Sequence, residues 1–199
     1  MKEFRLPKTV NDLRIRHFKP LTNPMYQGDI TPLQMCEFLA DFLGVHVNDI
    51  LQIDVDDVVK MFKHAKELYA DIGIETPPKE LTMGGVVYEL VNPKKVGVGW
   101  HIDYSHGDIK AEPLWLSCLF YYPKGVKYGV TDENKNLLYP IKDRINIFER
   151  EMPLQTFINA SAFFLTKTER SMTLSMATQK VREKVITWLK PMSGKQSLT

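Results

Sequence analysis

Three side chains within six residues could hold a metal: His101, Asp103 and His106. Two imidazoles and a carboxylate are the ligand set of the non-haem iron facial triad, and His101-Ile102-Asp103 would be its H-x-D half. Such triads take their second histidine from a distant strand, whereas this sequence has no histidine after His106. A helix would turn His101 and His106 about 140° apart around its axis. A strand would put His101 and Asp103 on one face and His106 on the other. Only a tight local loop would bring all three together. The competing reading is a short helix or turn opened by Gly99, with Trp100 and Ile102 or Tyr104 packed inward. His101, Asp103 and His106 would then make surface or capping hydrogen bonds.

Other chemistry is less well supplied. Cys36 and Cys118 form none of the paired spacings of a zinc site, and neither has the electropositive setting of a reactive thiolate. Asp54, Asp56 and Asp57 cluster where a helix begins, and the free amides of a first turn favour negative charge there. Gly84-Gly85 is followed by neither G-x-x-x-x-G-K-[ST] nor G-x-G-x-x-G, so no phosphate loop is expected. His64 falls off the apolar stripe of its helix and is expected to be exposed, with no ligand role. No convergent catalytic set emerges, so the expectation is a protein without enzymatic activity or cofactor.

The elements that must position these residues are mostly helical. Thr9 or Asn11 could cap a helix through Leu21, with Leu13, Ile15 and Phe18 apolar. Thr31-Pro32 is a strong helix start, and that helix should run to Leu43 and stop at Gly44, burying Met35, Leu39, Phe42 and Leu43. Asp54 caps the clearest amphipathic helix, with Val55, Val58, Val59, Phe62, Ala65, Leu68, Tyr69 and Ile72 at three-and-four spacing. Pro77-Pro78 lies in a linker, and MGGVVYELV reads as a β-hairpin turned at Gly84-Gly85. Pro113 opens an apolar helix through Tyr122, stopped by Pro123. Asp143 starts a helix through Arg150, and further helices should follow from Leu154 and from Met172 to Leu189. The expected fold is mainly α (α+β): a helical domain with a small β-hairpin inserted between N-terminal and C-terminal helices. Residues 1–76 form an N-terminal helical unit and 77–199 the hairpin followed by a helical unit, packed together.

An apolar fraction of 44% is enough for a real core, which excludes wholesale disorder. The start MKEFRLPKTV lacks the apolar run of a secretory signal, and no stretch approaches a transmembrane span. A soluble protein of a reducing cytoplasm is expected, without membrane contact. Net charge is only +2, but Lys2, Arg5, Lys8, Arg14, Arg16 and Lys19 make one end basic. Lys180, Arg182, Lys184, Lys190 and Lys195 do the same at the other. Nucleic-acid contact through these ends is one reading, and solvated faces or complementarity between copies is another.

The order of elements carries a resemblance. LPKTVNDLRIRHFKPL, a helix ending FLADFLGV, then IDVDDVVKMFKHAKELY, then MGGVVYELV leading to VGVGWHIDY and LSCLFYYP resembles small tail-assembly chaperone-like and virion structural proteins of tailed, crAss-like bacteriophages. The likeness spans roughly residues 2 to 165 and consists of apolar spacing, without a catalytic signature. It implies a bacteriophage virion structural or morphogenesis protein of the tail or head-tail connector, present in the host cytoplasm during assembly and open to retention in the virion. Its partners would be other phage structural proteins or further copies of itself. It also implies a structural role for Asp103. His101, His106 and the basic C-terminal helix depart from the pattern.

On this reading Trp100, Trp115, Phe120, Tyr121, Tyr122, Phe163, Phe164 and Trp188 supply aromatic surface to a partner. The alternatives are that these rings fill the chain's own core, that His101, Asp103 and His106 form a metal-dependent site, or that the basic ends bind nucleic acid.

Overall fold

The computed structural model describes residues 4–26, 28–105, 113–134, 137 and 139–169. The fold is mainly α, with a small antiparallel sheet set between helices. Among the described residues the chain forms two compact units, one from 4–13 and 17–73, the other from 14–16 and 74–169. No described helix is long and apolar enough to cross a membrane.

The first unit contains α1 (Phe18–Thr22), α2 (Pro32–Leu43), α3 (Val47–Ile50) and α4 (Val55–Ala70). The single helix expected from Thr9 or Asn11 to Leu21 does not form. Thr9 opens one 3-10 turn, Val10–Asp12, closed by the Asp12 carboxylate accepting from the Thr9 amide at 2.9 Å. Leu13 is then extended, Arg14 pairs with Pro153 inside the second unit, a second 3-10 turn spans Ile15–His17, and α-helix begins only at Phe18. A long-range pairing has overridden local propensity.

The caps of α2 and α4 match their sequence signals. Thr31 Oγ1 accepts from the Gln34 amide at 3.3 Å and Gln34 Oε1 from the Thr31 amide at 2.8 Å, satisfying two free donors reciprocally. Gly44 ends α2 at φ 66°, and Asp54 Oδ1 takes the Asp56 amide at 2.9 Å. The core is centred on Phe38, whose ring meets those of Tyr26, Phe42, Phe62 and Tyr69 at 5.0 to 6.2 Å. Val55 and Val59, expected on the buried stripe of α4, are exposed, so the stripe that packs is narrower than the stripe that is apolar.

In the second unit β1 (Glu80–Met83) and β2 (Val86–Leu90) form the expected hairpin, with Met83 opposite Val86. Gly84 and Gly85 turn it at φ 55° and 73°, the left-handed pair that a two-residue turn requires. A Cβ on Gly84 would lie 3.1 Å from the Ile147 side chain, and its amide donates to Glu151 at 2.7 Å. After α5 (Val98–Ser105) comes α6 (Pro113–Phe120), which stops two residues short of the expected end. Tyr121–Pro123 is a third strand, β3, with Tyr121 opposite Leu90 and Tyr122 opposite Glu89. Aromatic residues favour strands, and pairing with β2 outweighs another half-turn of helix. Pro140, and not Asp143, is the N-cap of α7 (Ile141–Glu151), and α8 (Leu154–Glu169) follows. The helix expected over Met172 to Leu189 lies outside the described residues.

Candidate functional site

The stretch around His101 is helix α5, the geometry that separates its polar side chains. Trp100 is fully buried, stacks on Tyr104 at 5.0 Å and donates from Nε1 to the Leu119 carbonyl at 3.0 Å. Tyr104 is thus the inward partner, whereas Ile102 is 55% exposed. His101 is exposed, with its ring edge against Trp100. Asp103 is half-buried and accepts a hydrogen bond from the Tyr128 hydroxyl. His106 lies outside the described residues. Among the described residues no group of three or more His, Cys, Asp or Glu side chains is placed to hold a metal.

The most unusual polar group in the unit is Arg144. Only 2% exposed, it projects from α7 into the junction of α6 and β3. Nη1 donates to the carbonyls of Cys118 at 2.9 Å and Tyr121 at 3.1 Å, and Nε donates to the Tyr139 carbonyl at 3.0 Å. The first acceptor lies in the last turn of α6, where carbonyls lack helical partners and the helix dipole is negative, and the second opens β3. The third is offered by a residue at φ 55°, the one described non-glycine residue with positive φ. Tyr122 covers the guanidinium face at 4.7 Å, with Phe148 at 6.0 Å. Nη2 is buried without a hydrogen-bond partner.

The groups around this cation keep their protons. Burial pushes the Cys118 thiol up to about 11, against the opposing pull of Arg144. Burial raises Tyr88 and Tyr122 despite the same pull. Tyr128 is raised by burial and then by Asp103. The cluster therefore sets protonated groups around a fixed positive charge, an arrangement that can hold a negative group.

No family model, curated protein or solved structure matches this chain.

Of the aromatic residues expected to face a partner, Trp100, Phe120, Tyr121, Tyr122 and Phe164 are buried in the second unit. Phe120 and Phe164 stack at 4.4 Å, and Phe164 meets Trp100 at 5.8 Å. Burial of these five within one unit is what the alternative reading, in which the rings fill the chain's own core, expects. Trp115 and Phe163 are half-buried, and Trp188 lies outside the described residues. Cys36 is buried and its thiol raised, by burial and then by Glu37. His64 is half-buried, not exposed: its Nε2 lies 2.8 Å from the Pro7 carbonyl and ties the N-terminal segment to α4. Arg5, Lys8 and Lys19 belong to the first unit and Arg14 and Arg16 to the second, so the basic start is no single continuous element.

Arg144 escaped the sequence reading although a signal was present. Ile141, Arg144, Phe148 and Met152 recur at three-and-four spacing and all four are buried. The arginine occupies a core position of that stripe.

Proposed function

We propose that this chain is a non-enzymatic subunit acting through protein-protein contacts in bacteriophage particle assembly, at the tail or the head-tail connector. The single observation that carries the contact reading is where its large apolar side chains stand. Most rings are inside, yet Val55 and Val59 are 64% and 47% exposed on α4, and Val98 and Ile102 are 75% and 55% exposed on α5. Residues four apart on a helix form one ridge, and such a ridge is what a groove on another protein receives. The protonated thiols and phenols, and the engagement of Asp103 by Tyr128, also favour a binding protein over a catalyst. The phage setting is supported by the resemblance in element order.

Co-expression with the products of neighbouring genes, read by light scattering on the eluted species, tests this. A complex of defined mass is expected. It should be lost in Val55→Asp/Val59→Asp or in Val98→Asp/Ile102→Asp while circular dichroism is unchanged. A strict monomer that elutes with none of them overturns the reading.

A further inference from the structure

We propose that Arg144 Nη2 binds a small monovalent anion of the halide type inside the second unit. A guanidinium stays protonated in proteins, and this one is sealed from water with no carboxylate paired to it among the described residues. Three carbonyls occupy Nε and Nη1, so the N–H groups of Nη2 alone remain unanswered. A buried charged donor without a partner is costly, and native structures resolve such cases with an unseen water or ion.

The surroundings distinguish the two. A water needs acceptors for its own hydrogens as well as donors. The nearby Cys118, Tyr121 and Tyr139 carbonyls already accept from the guanidinium, and the protonated Cys118 thiol and Tyr88 phenol carry hydrogens that a negative group can receive. An anion uses donors only, and it supplies the charge that the carbonyl dipoles leave unbalanced. Asp103 does not supply it, being held by the Tyr128 hydroxyl with no ion pair to Arg144.

Shape argues for one atom. Carboxylates and phosphates are recognised by arginine through two parallel bonds from two nitrogens. Here one nitrogen is free, and the Tyr122 and Phe148 rings lie against the guanidinium at 4.7 and 6.0 Å. A halide accepts from one nitrogen in any direction.

The test uses the full chain in sodium chloride, bromide, sulfate or gluconate at equal ionic strength. Chloride and bromide should raise the melting temperature saturably over gluconate, as a ligand of the native state does, and sulfate should not. Crystals grown in bromide, measured at the bromine edge, should show an anomalous peak at hydrogen-bond distance from Nη2. The halide increment should vanish in Arg144→Met; should that variant fail to fold, the bromide peak in the wild-type chain decides. A water or empty density at Nη2 in bromide crystals overturns the proposal, as does a bromide peak found only elsewhere. Equal stabilisation by sulfate and chloride also overturns it.

Discussion

Each unit sets a cation against aromatic rings, and they use different residues to do so. In the first, the Lys66 ammonium lies 5.3 Å from the Phe62 ring and 5.7 Å from that of Phe38, donating to the Tyr26 carbonyl at 3.1 Å. It is half-buried, and burial lowers its pKa. In the second, Arg144 is enclosed and donates to three carbonyls. Lysine can yield its proton when desolvated, and arginine cannot. A site at the edge of the core tolerates the first, whereas complete enclosure of the second obliges the backbone to bring acceptors to it. The helix end, the start of β3 and the left-handed Tyr139 are those acceptors.

The sharpest way to break this contrast is to remove the enclosed charge. Arg144→Leu removes the buried bonds to the Cys118 and Tyr121 carbonyls, and each buried acceptor left unsatisfied costs about 1–3 kcal/mol. Urea unfolding should show that loss, and Arg144→Lys should recover little of it because one ammonium cannot match the fork. A loss below about 1 kcal/mol, the range of an exposed ion pair, would mean that the guanidinium is not sealed.

A smaller effect concerns the backbone on which the second unit relies. Gly84→Ala forces a left-handed alanine, at a cost of roughly 1–2 kcal/mol, and drives its Cβ towards Ile147. Thermal unfolding should register it, with Gly85→Ala, whose Cβ meets nothing within 4 Å, costing less. The first unit depends instead on side-chain caps, so Thr31→Ala should cost about 1 kcal/mol in the same measurement.

The smallest effect is a slope. Folded chain binds the Lys66 proton less tightly than unfolded chain does, so between the two pKa values the unfolded state holds more protons and stability rises with pH. The penalty is present at neutral pH and relieved as pH climbs towards the ordinary lysine value of 10.5. The stability of wild type relative to Lys66→Met should therefore increase over that range, with the tyrosines cancelling in the difference. A flat difference would return Lys66 to the solvent.

The two units also differ in how much of them the sequence discloses. In the first, Thr31, Pro32, Gly44 and Asp54 mark helix ends by chemistry that acts within four residues, and α2 and α4 start where those residues put them. Apolar spacing was less informative about burial there: Phe38 is the hub, although the expected α2 face was Met35, Leu39, Phe42 and Leu43. In the second unit Gly84-Gly85 was equally local and equally readable. The strand at Tyr121–Pro123 was not, because its partner β2 lies some thirty residues earlier, and nothing between Leu114 and Tyr122 distinguishes a buried helix from a helix that runs into a strand. The site was the least legible part. Histidines drew attention to α5, while the enclosed charge sat on α7, where an arginine reads as surface until the carbonyls around it are known.

The segment 14–16 has a consequence for the order in which the protein can be made. Ile15 is buried, and its amide donates to the Met152 carbonyl at 3.0 Å. The second unit thus borrows a piece that precedes the helices of the first unit along the chain. A ribosome delivers that piece first and its acceptor far later, so vectorial synthesis cannot complete the unit until the chain beyond Met152 has emerged. A gene divided after codon 73 would separate Ile15 from the carbonyl that receives it, leaving two products of which the longer is missing part of its own interior.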